Sequence, residues 1–151
     1  MNRTIEFPAG ARTSATAEEF ADFVDGRFTA LRQFGYLLTG DWQLAERLAH
    51  AVLTKVWFRR SALKSEALDS YTLAAMVTAG TRWWRRTPRA PKTPQPALLQ
   101  ALATLPRRTR AIVVLRYLED LPDAEIAQIM RCSVDAVQAR LSRGVVVLES
   151  S

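Results

Sequence analysis

The sequence predicts an all-α protein made of two small helical domains joined by a proline-rich linker. Three observations predict it. Apolar residues recur at helical spacing through most of the chain, four of its seven prolines fall within residues 87–96, and Leu121 to Gly144 reads as two short helices around a tight turn. A unit of that last kind offers its second helix to a DNA major groove. With 151 residues and 48% hydrophobic content, the chain can bury one moderate core or two small ones.

Residues 1–15 lack a period and contain Pro8 and Gly10, the pattern of a flexible N-terminal arm. The first domain is expected over 16–86. Thr16-Ala-Glu-Glu19 has the form of a capping box. Phe20, Phe23, Val24, Phe28, Leu31, Phe34 and Leu38 then make one apolar stripe that stops at Gly40. Asp41 is placed to cap a second helix, along which Leu44, Leu48, Val52 and Val56 repeat every four residues, with Trp57 at the edge. A third helix starting near Asp69 buries Leu73, Met76 and Val77 and ends in Thr81-Arg-Trp-Trp-Arg-Arg86.

Proline density makes residues 87–96 a semi-extended linker. The second domain is expected over 97–151. Leu98, Leu99 and Leu102 form a short apolar helix, and Leu105-Pro106 breaks the chain before a helix carrying Ile112, Val113, Leu115, Arg116 and Tyr117. In the pair that follows, Ile126, Ala127 and Met130 face inward, Ser133 caps the second helix, and Val137 and Leu141 are its inward positions. Arg131 stands in the turn, where a left-handed residue such as glycine is usual.

Charge is informative once it is divided along the chain. Residues 1–50 carry five Lys/Arg against seven Asp/Glu, whereas residues 51–92 carry nine basic side chains and only Glu66 and Asp69 as acids. A basic middle of this kind fits a polyanionic partner, because phosphate contacts release counterions. The bland alternative is a solvated surface. Other classes are disfavoured. There is no apolar run of eighteen residues and no signal-like leader, so a cytoplasmic protein without membrane insertion is expected. Cys132 is the one cysteine and His50 the one histidine, in different domains, with no phosphate-cradling glycine loop. No metal, no cofactor and no enzymatic activity are expected; His50 reads as a surface residue and Cys132 as a small filler.

Two places could meet nucleic acid. Trp83 and Trp84 are separated by about 100° on a helix and cannot both enter one narrow core stripe. An exposed indole beside Arg82, Arg85 and Arg86 suits unpaired nucleic acid, by stacking and phosphate contact; the alternative is that both indoles pack at a helix end. On the last helix, Asp135, Ala136, Gln138, Ala139, Arg140 and Arg143 face outward if Val137 and Leu141 face in. Arginine reads guanine and glutamine reads adenine by paired hydrogen bonds, and Ser133 at the helix start is placed to hold a phosphate.

The order of these segments resembles a group-IV, extracytoplasmic-function bacterial RNA polymerase sigma factor with domains two and four. The resemblance rests on Tyr36-Leu-Leu-Thr-Gly-Asp41, Ala45-Glu46 with Trp57, Thr81-Arg-Trp-Trp-Arg-Arg86, Leu105-Pro-Arg-Arg-Thr-Arg-Ala111, Val113-Val-Leu-Arg-Tyr-Leu-Glu-Asp-Leu121, Cys132-Ser-Val134 and Leu141-Ser-Arg-Gly144. It covers about residues 18–149. It implies a protein that binds core RNA polymerase, reads an upstream promoter element with the helix-turn-helix and holds the opened downstream element with domain two. By matching positions, Asp41, Glu46, Arg47, His50 and Ala51 fall on the polymerase-facing surface. Thr78, Arg82, Trp83, Trp84, Arg85 and Arg86 fall where opened DNA would be held, and an anti-sigma factor or accessory protein becomes a plausible partner. The chain departs from the family in Ala45-Glu-Arg-Leu-Ala-His-Ala51, where Arg47 and Ala51 stand in place of acids, in Thr78 for an asparagine, and in Gln138-Ala139 for Lys-Ser. These departures keep open a second reading, a sigma-like adaptor that binds polymerase or a partner without initiating by itself.

Overall fold

The computed structural model describes residues 16–82, the backbone of 83–86, and residues 96–150. Among them, seven α-helices and two 3₁₀ turns account for nearly all the backbone. The helices are α1 (Ala17–Thr39), α2 (Trp42–Arg59), α3 (Leu68–Arg86), α4 (Ala97–Ala103), α5 (Arg107–Tyr117), α6 (Asp123–Met130) and α7 (Val134–Glu149). The expected arm at 1–15 and linker residues 87–95 lie outside the described residues; Pro96 forms the start of α4.

Local chemistry sets the ends of α1 and α2. The Thr16 hydroxyl accepts from Glu19 N at 3.0 Å, and the Glu19 carboxylate accepts from Thr16 N at 2.8 Å, completing the capping box. Gly40 closes α1 at φ 76°, a left-handed geometry that glycine adopts without steric cost. Asp41 Oδ1 then accepts from Gln43 N and Leu44 N to start α2.

Helices α1, α2 and α3 bury Leu31, Phe34, Leu44, Leu48, Val52, Val56, Leu73 and Met76 against one another. At Gly35 the helices approach so closely that a Cβ would sit 3.1 Å from the Ala45 Cα. In the second group α5 is the central element: residues 109–115 are buried on all sides, and the exposed or half-buried Arg107, Arg108, Arg116 and Tyr117 stand at its two ends. Helices α6 and α7 pack on it through Ile126, Met130 and Val137.

The 3₁₀ turns Arg60–Ala62 and Ser65–Ala67 connect α2 to α3. Local periodicity gave no sign of them. Nor did it indicate that the two helical groups pack on each other, α5 against α1 and α6 against α3. The apolar core runs through both groups.

Candidate nucleic-acid interface

The α6–α7 turn aims α7. Arg131 sits at φ 56° and ψ 52°, Cys132 N donates to Ala127 O at 3.0 Å and Arg131 N to Gln128 O at 3.3 Å. This is a Schellman closure with arginine where glycine is usual. Another end carbonyl of α6, Met130 O, accepts from the Arg108 guanidinium at 2.7 Å. Cys132, half-buried, packs against the core as a filler. The Ser133 hydroxyl accepts from Ala136 N at 3.0 Å to cap α7, leaving its O–H free to donate.

Val137 is fully buried and Leu141 half-buried against the core, so the opposite face of α7 is turned outward. Asp135, Gln138, Ala139 and Arg143 are exposed on it, while Ala136 and Arg140 are half-buried. The Gln138 amide donates to Asp123 Oδ2 at 3.3 Å. Asp123 also lies at ion-pair distance from Arg116, 3.5 Å. To read a base with both amide atoms, Gln138 must release that exposed and weak contact. Val134 and Ser142 are exposed on this helix as well; Val134, just after the cap, offers a methyl pair suited to a thymine methyl. Sequence reasoning did not include Val134 among the outward positions of this helix.

A second feature lies between α2 and α3. Ala51, Val52 and Lys55 of α2 and Ala75, Thr78, Ala79 and Arg82 of α3 line a groove of about 220 Å³. Its floor is apolar, and two cations and a hydroxyl stand at its rim. Phe58 is 76% exposed and follows Ala51 and Lys55 at positions i+7 and i+3, hence on the same side of α2. Its displacement from the stripe of Leu44, Leu48, Val52 and Val56 was the available signal, overlooked beside Trp57. Trp57 itself is half-buried, 5.3 Å from the Phe20 ring, with the Arg60 guanidinium 3.4 Å from its centroid. The side chains of Trp83, Trp84, Arg85 and Arg86 lie outside the described residues; their backbone forms the last turn of α3.

The third feature is the α1–α2 surface. Asp41 is committed to capping. Glu46 lies 3.3 Å from Arg32 Nε, at ion-pair distance without hydrogen-bond alignment, and 4.0 Å from His50. His50 is exposed with its ring 5.0 Å from Phe28, and Arg47 and Ala51 are exposed beside it. Trp42, unnoticed in the sequence, lies flat on Tyr36 at 3.8 Å with the Arg32 guanidinium 4.6 Å away. Ala51 thus borders both this surface and the α2–α3 groove. Among the described residues, no group of acids, histidine or cysteine could hold a metal ion, and no helix is long and apolar enough to cross a membrane.

A sequence profile described as "Sigma-70, region 4" matches residues 95–148, the stretch that builds α4 to α7. The RNA polymerase sigma-E factor of Streptomyces coelicolor is 26% identical over 145 residues, covering 84% of this chain and 82% of that protein. Its namesake from Streptomyces avermitilis is 28% identical over 145 residues, covering 84% and 81%. The chain is thus similar to RNA polymerase sigma-E factors over most of its length, and its second helical group matches sigma-70 region 4.

Solved structures share the fold of this chain. The sigma factor RpoE of Bartonella quintana, solved with the anti-sigma factor NepR, matches with a TM-score of 0.70 at 18% identity, covering 89% of this chain and 96% of that one. CnrH, solved with the cytosolic domain of CnrY, matches with a TM-score of 0.68 at 18% identity, covering 94% and 92%.

Proposed function

We propose that this sigma factor binds core RNA polymerase and directs promoter recognition and transcription initiation. The observation that carries the reading is α7: an exposed polar face backed by buried Val137, aimed by a closed turn, within the stretch matched by sigma-70 region 4. Asp135, Gln138, Ala139 and Arg143 read the upstream element, with Ala136 and Arg140 at the edge and Ser133 on a phosphate. In domain two, Thr78, Arg82 and the Trp83–Arg86 turn hold the opened downstream strand, with Lys55 and Phe58 added along the same groove. Asp41, Glu46, Arg47, His50 and Ala51 face the polymerase. The protein then carries out no bond chemistry of its own and works in the cytoplasm, where polymerase and promoter are. A protein inhibitor of the anti-sigma kind fits as a further partner, since the neighbour RpoE was solved with the anti-sigma factor NepR.

Exposed Arg47 and Ala51 favour the adaptor reading as the alternative, because they remove negative charge from the polymerase-facing surface. One experiment separates the two. Purified polymerase core, with and without this chain, is challenged with a promoter library while co-migration and strand opening are followed. Dependent transcripts establish the initiation factor, and binding without opening establishes the adaptor. Neither transcript nor co-migration would refute both. Phe58→Ala and Arg82→Ala are expected to reduce strand opening while leaving duplex binding by α7 unchanged.

A further inference from the structure

One polar chain of side chains runs through three helices of the second group and ends on the outward face of α7. Asp123 occupies the first position of α6, where the positive end of the helix dipole favours a carboxylate. Its Oδ1 is buried and lies 3.5 Å from Nη1 of Arg116 on α5. The same nitrogen donates to Leu121 O at 3.3 Å, which fixes the guanidinium against the turn before α6. With one carboxylate oxygen buried, the other, Oδ2, meets α7, where it accepts from Gln138 Nε2 at 3.3 Å. The Asp123 side chain is 24% exposed, and Gln138 is exposed beyond it.

In water this contact is weak, because solvent offers the carboxylate and the amide competing partners. A duplex laid on α7 changes the balance. Water is then excluded around Gln138, and a carboxylate deprived of its donor beside a polyanion loses more than the amide gains from a second base atom. Arg116 offsets the charge of Asp123 against the phosphates. The contact is therefore kept in the complex, with Nε2 occupied and Oε1 left to meet the base as an acceptor.

An acceptor alone makes a different choice from a whole amide. Adenine N6 and cytosine N4 both offer amine hydrogens in the major groove, whereas guanine O6 and thymine O4 would set oxygen against oxygen. Both amide atoms together select adenine, through N6 and N7.

We propose that Asp123, braced by Arg116, is a positioning residue for promoter reading: it holds the Gln138 amide so that Gln138 accepts adenine or cytosine at its base pair and rejects guanine and thymine. The base preference rests on the DNA reading of α7 given above; the hold on the amide rests on these contacts alone.

The test uses the full chain, alone and with polymerase core, and a library of duplexes randomised over the bound site. Gln138→Ala identifies the base pair that Gln138 contacts, as the position whose preference disappears. In the parent, adenine and cytosine are expected there within about 3-fold of each other, with guanine and thymine about 5-fold or more below. In Asp123→Ala the released amide bonds both N6 and N7, and adenine rises over cytosine by about 5-fold or more at that position alone. Asp123→Ser removes the same carboxylate should the alanine variant fold poorly, and Arg116→Gln shifts the same position in the same direction by less. Helical content and unfolding temperature are recorded for each. The hold is also read without DNA, by NMR: the Gln138 side-chain amide signals shift when the Asp123 carboxylate is removed, while the backbone signals of α7 stay in place.

A uniform loss of binding across all positions in folded Asp123 variants marks a merely structural role and overturns the proposal. So does a parent that selects adenine alone, or a duplex-selecting chain in which no position responds to Gln138→Ala. Gln138 amide signals indifferent to Asp123 overturn the hold. Amide signals that respond to Asp123, in a chain that selects no duplex in any form, refute the DNA reading of α7 and leave the hold on Gln138 standing.

Discussion

Replacing Arg131 by glycine should stabilise the protein while weakening its hold on DNA. Arg131 is held at φ 56° and ψ 52°, a conformation that costs an L-residue about 1–2 kcal/mol. Glycine removes that strain but gains freedom in the unfolded chain worth about 0.5–1 kcal/mol. The backbone bonds of the turn, Arg131 N to Gln128 O and Cys132 N to Ala127 O, are kept by either residue. The net gain is about 0.5–1 kcal/mol, which raises Tm by about 1–4 °C for a chain of this length. Calorimetry on Arg131→Gly measures it. The side chain is exposed in the turn before α7, so under the proposed DNA reading of α7 its removal is expected to cost one phosphate contact and to lower the salt slope of DNA binding by about 0.9. A fall in Tm would show that the guanidinium contributes more than the strain costs and refute the reasoning. An unchanged salt slope would place Arg131 off the DNA.

Gly144→Ala places a Cβ 2.8 Å from Val113 Cγ2 and 3.1 Å from Thr109 Cγ2. Both neighbours are β-branched and stiff, so overpacking of about 1–3 kcal/mol outweighs the helix-propensity gain of about 1 kcal/mol. The urea midpoint is expected to fall at an unchanged m-value. The Glu19 carboxyl is held below its ordinary pKa, first by the backbone N–H of Thr16 and then by the Ser65 hydroxyl. Because the folded value is the lower one, its contribution is complete above the unfolded value of about 4.3 and is lost as pH falls through the folded value. Glu19→Gln should therefore lose less stability than the parent between about pH 5 and 3, as thermal melts across that range will show.

The helices were legible in the sequence because their causes are local. The Thr16–Glu19 box, Gly40, Asp41 and Ser133 each act within a few residues, and a stripe such as Phe20 to Leu38 is a property of one helix. The inward positions Val137 and Leu141 followed from the same spacing. Phe58 and Trp42 were missed because periodicity says which residues leave a stripe but not which are then covered by a neighbouring helix. The α2–α3 groove needed both helices in place before Ala51, Lys55, Thr78 and Arg82 became neighbours.

The sequence by itself determined the number and ends of these helices, the turn that aims α7 and the basic character of the middle of the chain. Only the tertiary structure decided that Arg110 is buried on the end of α1 and that Glu119 meets Arg27 ninety-two positions away. A solvated arginine and one that joins two domains have the same composition and the same helical register. What separates them is the desolvation and the carbonyl supplied by a distant helix end, and neither exists until the chain has folded.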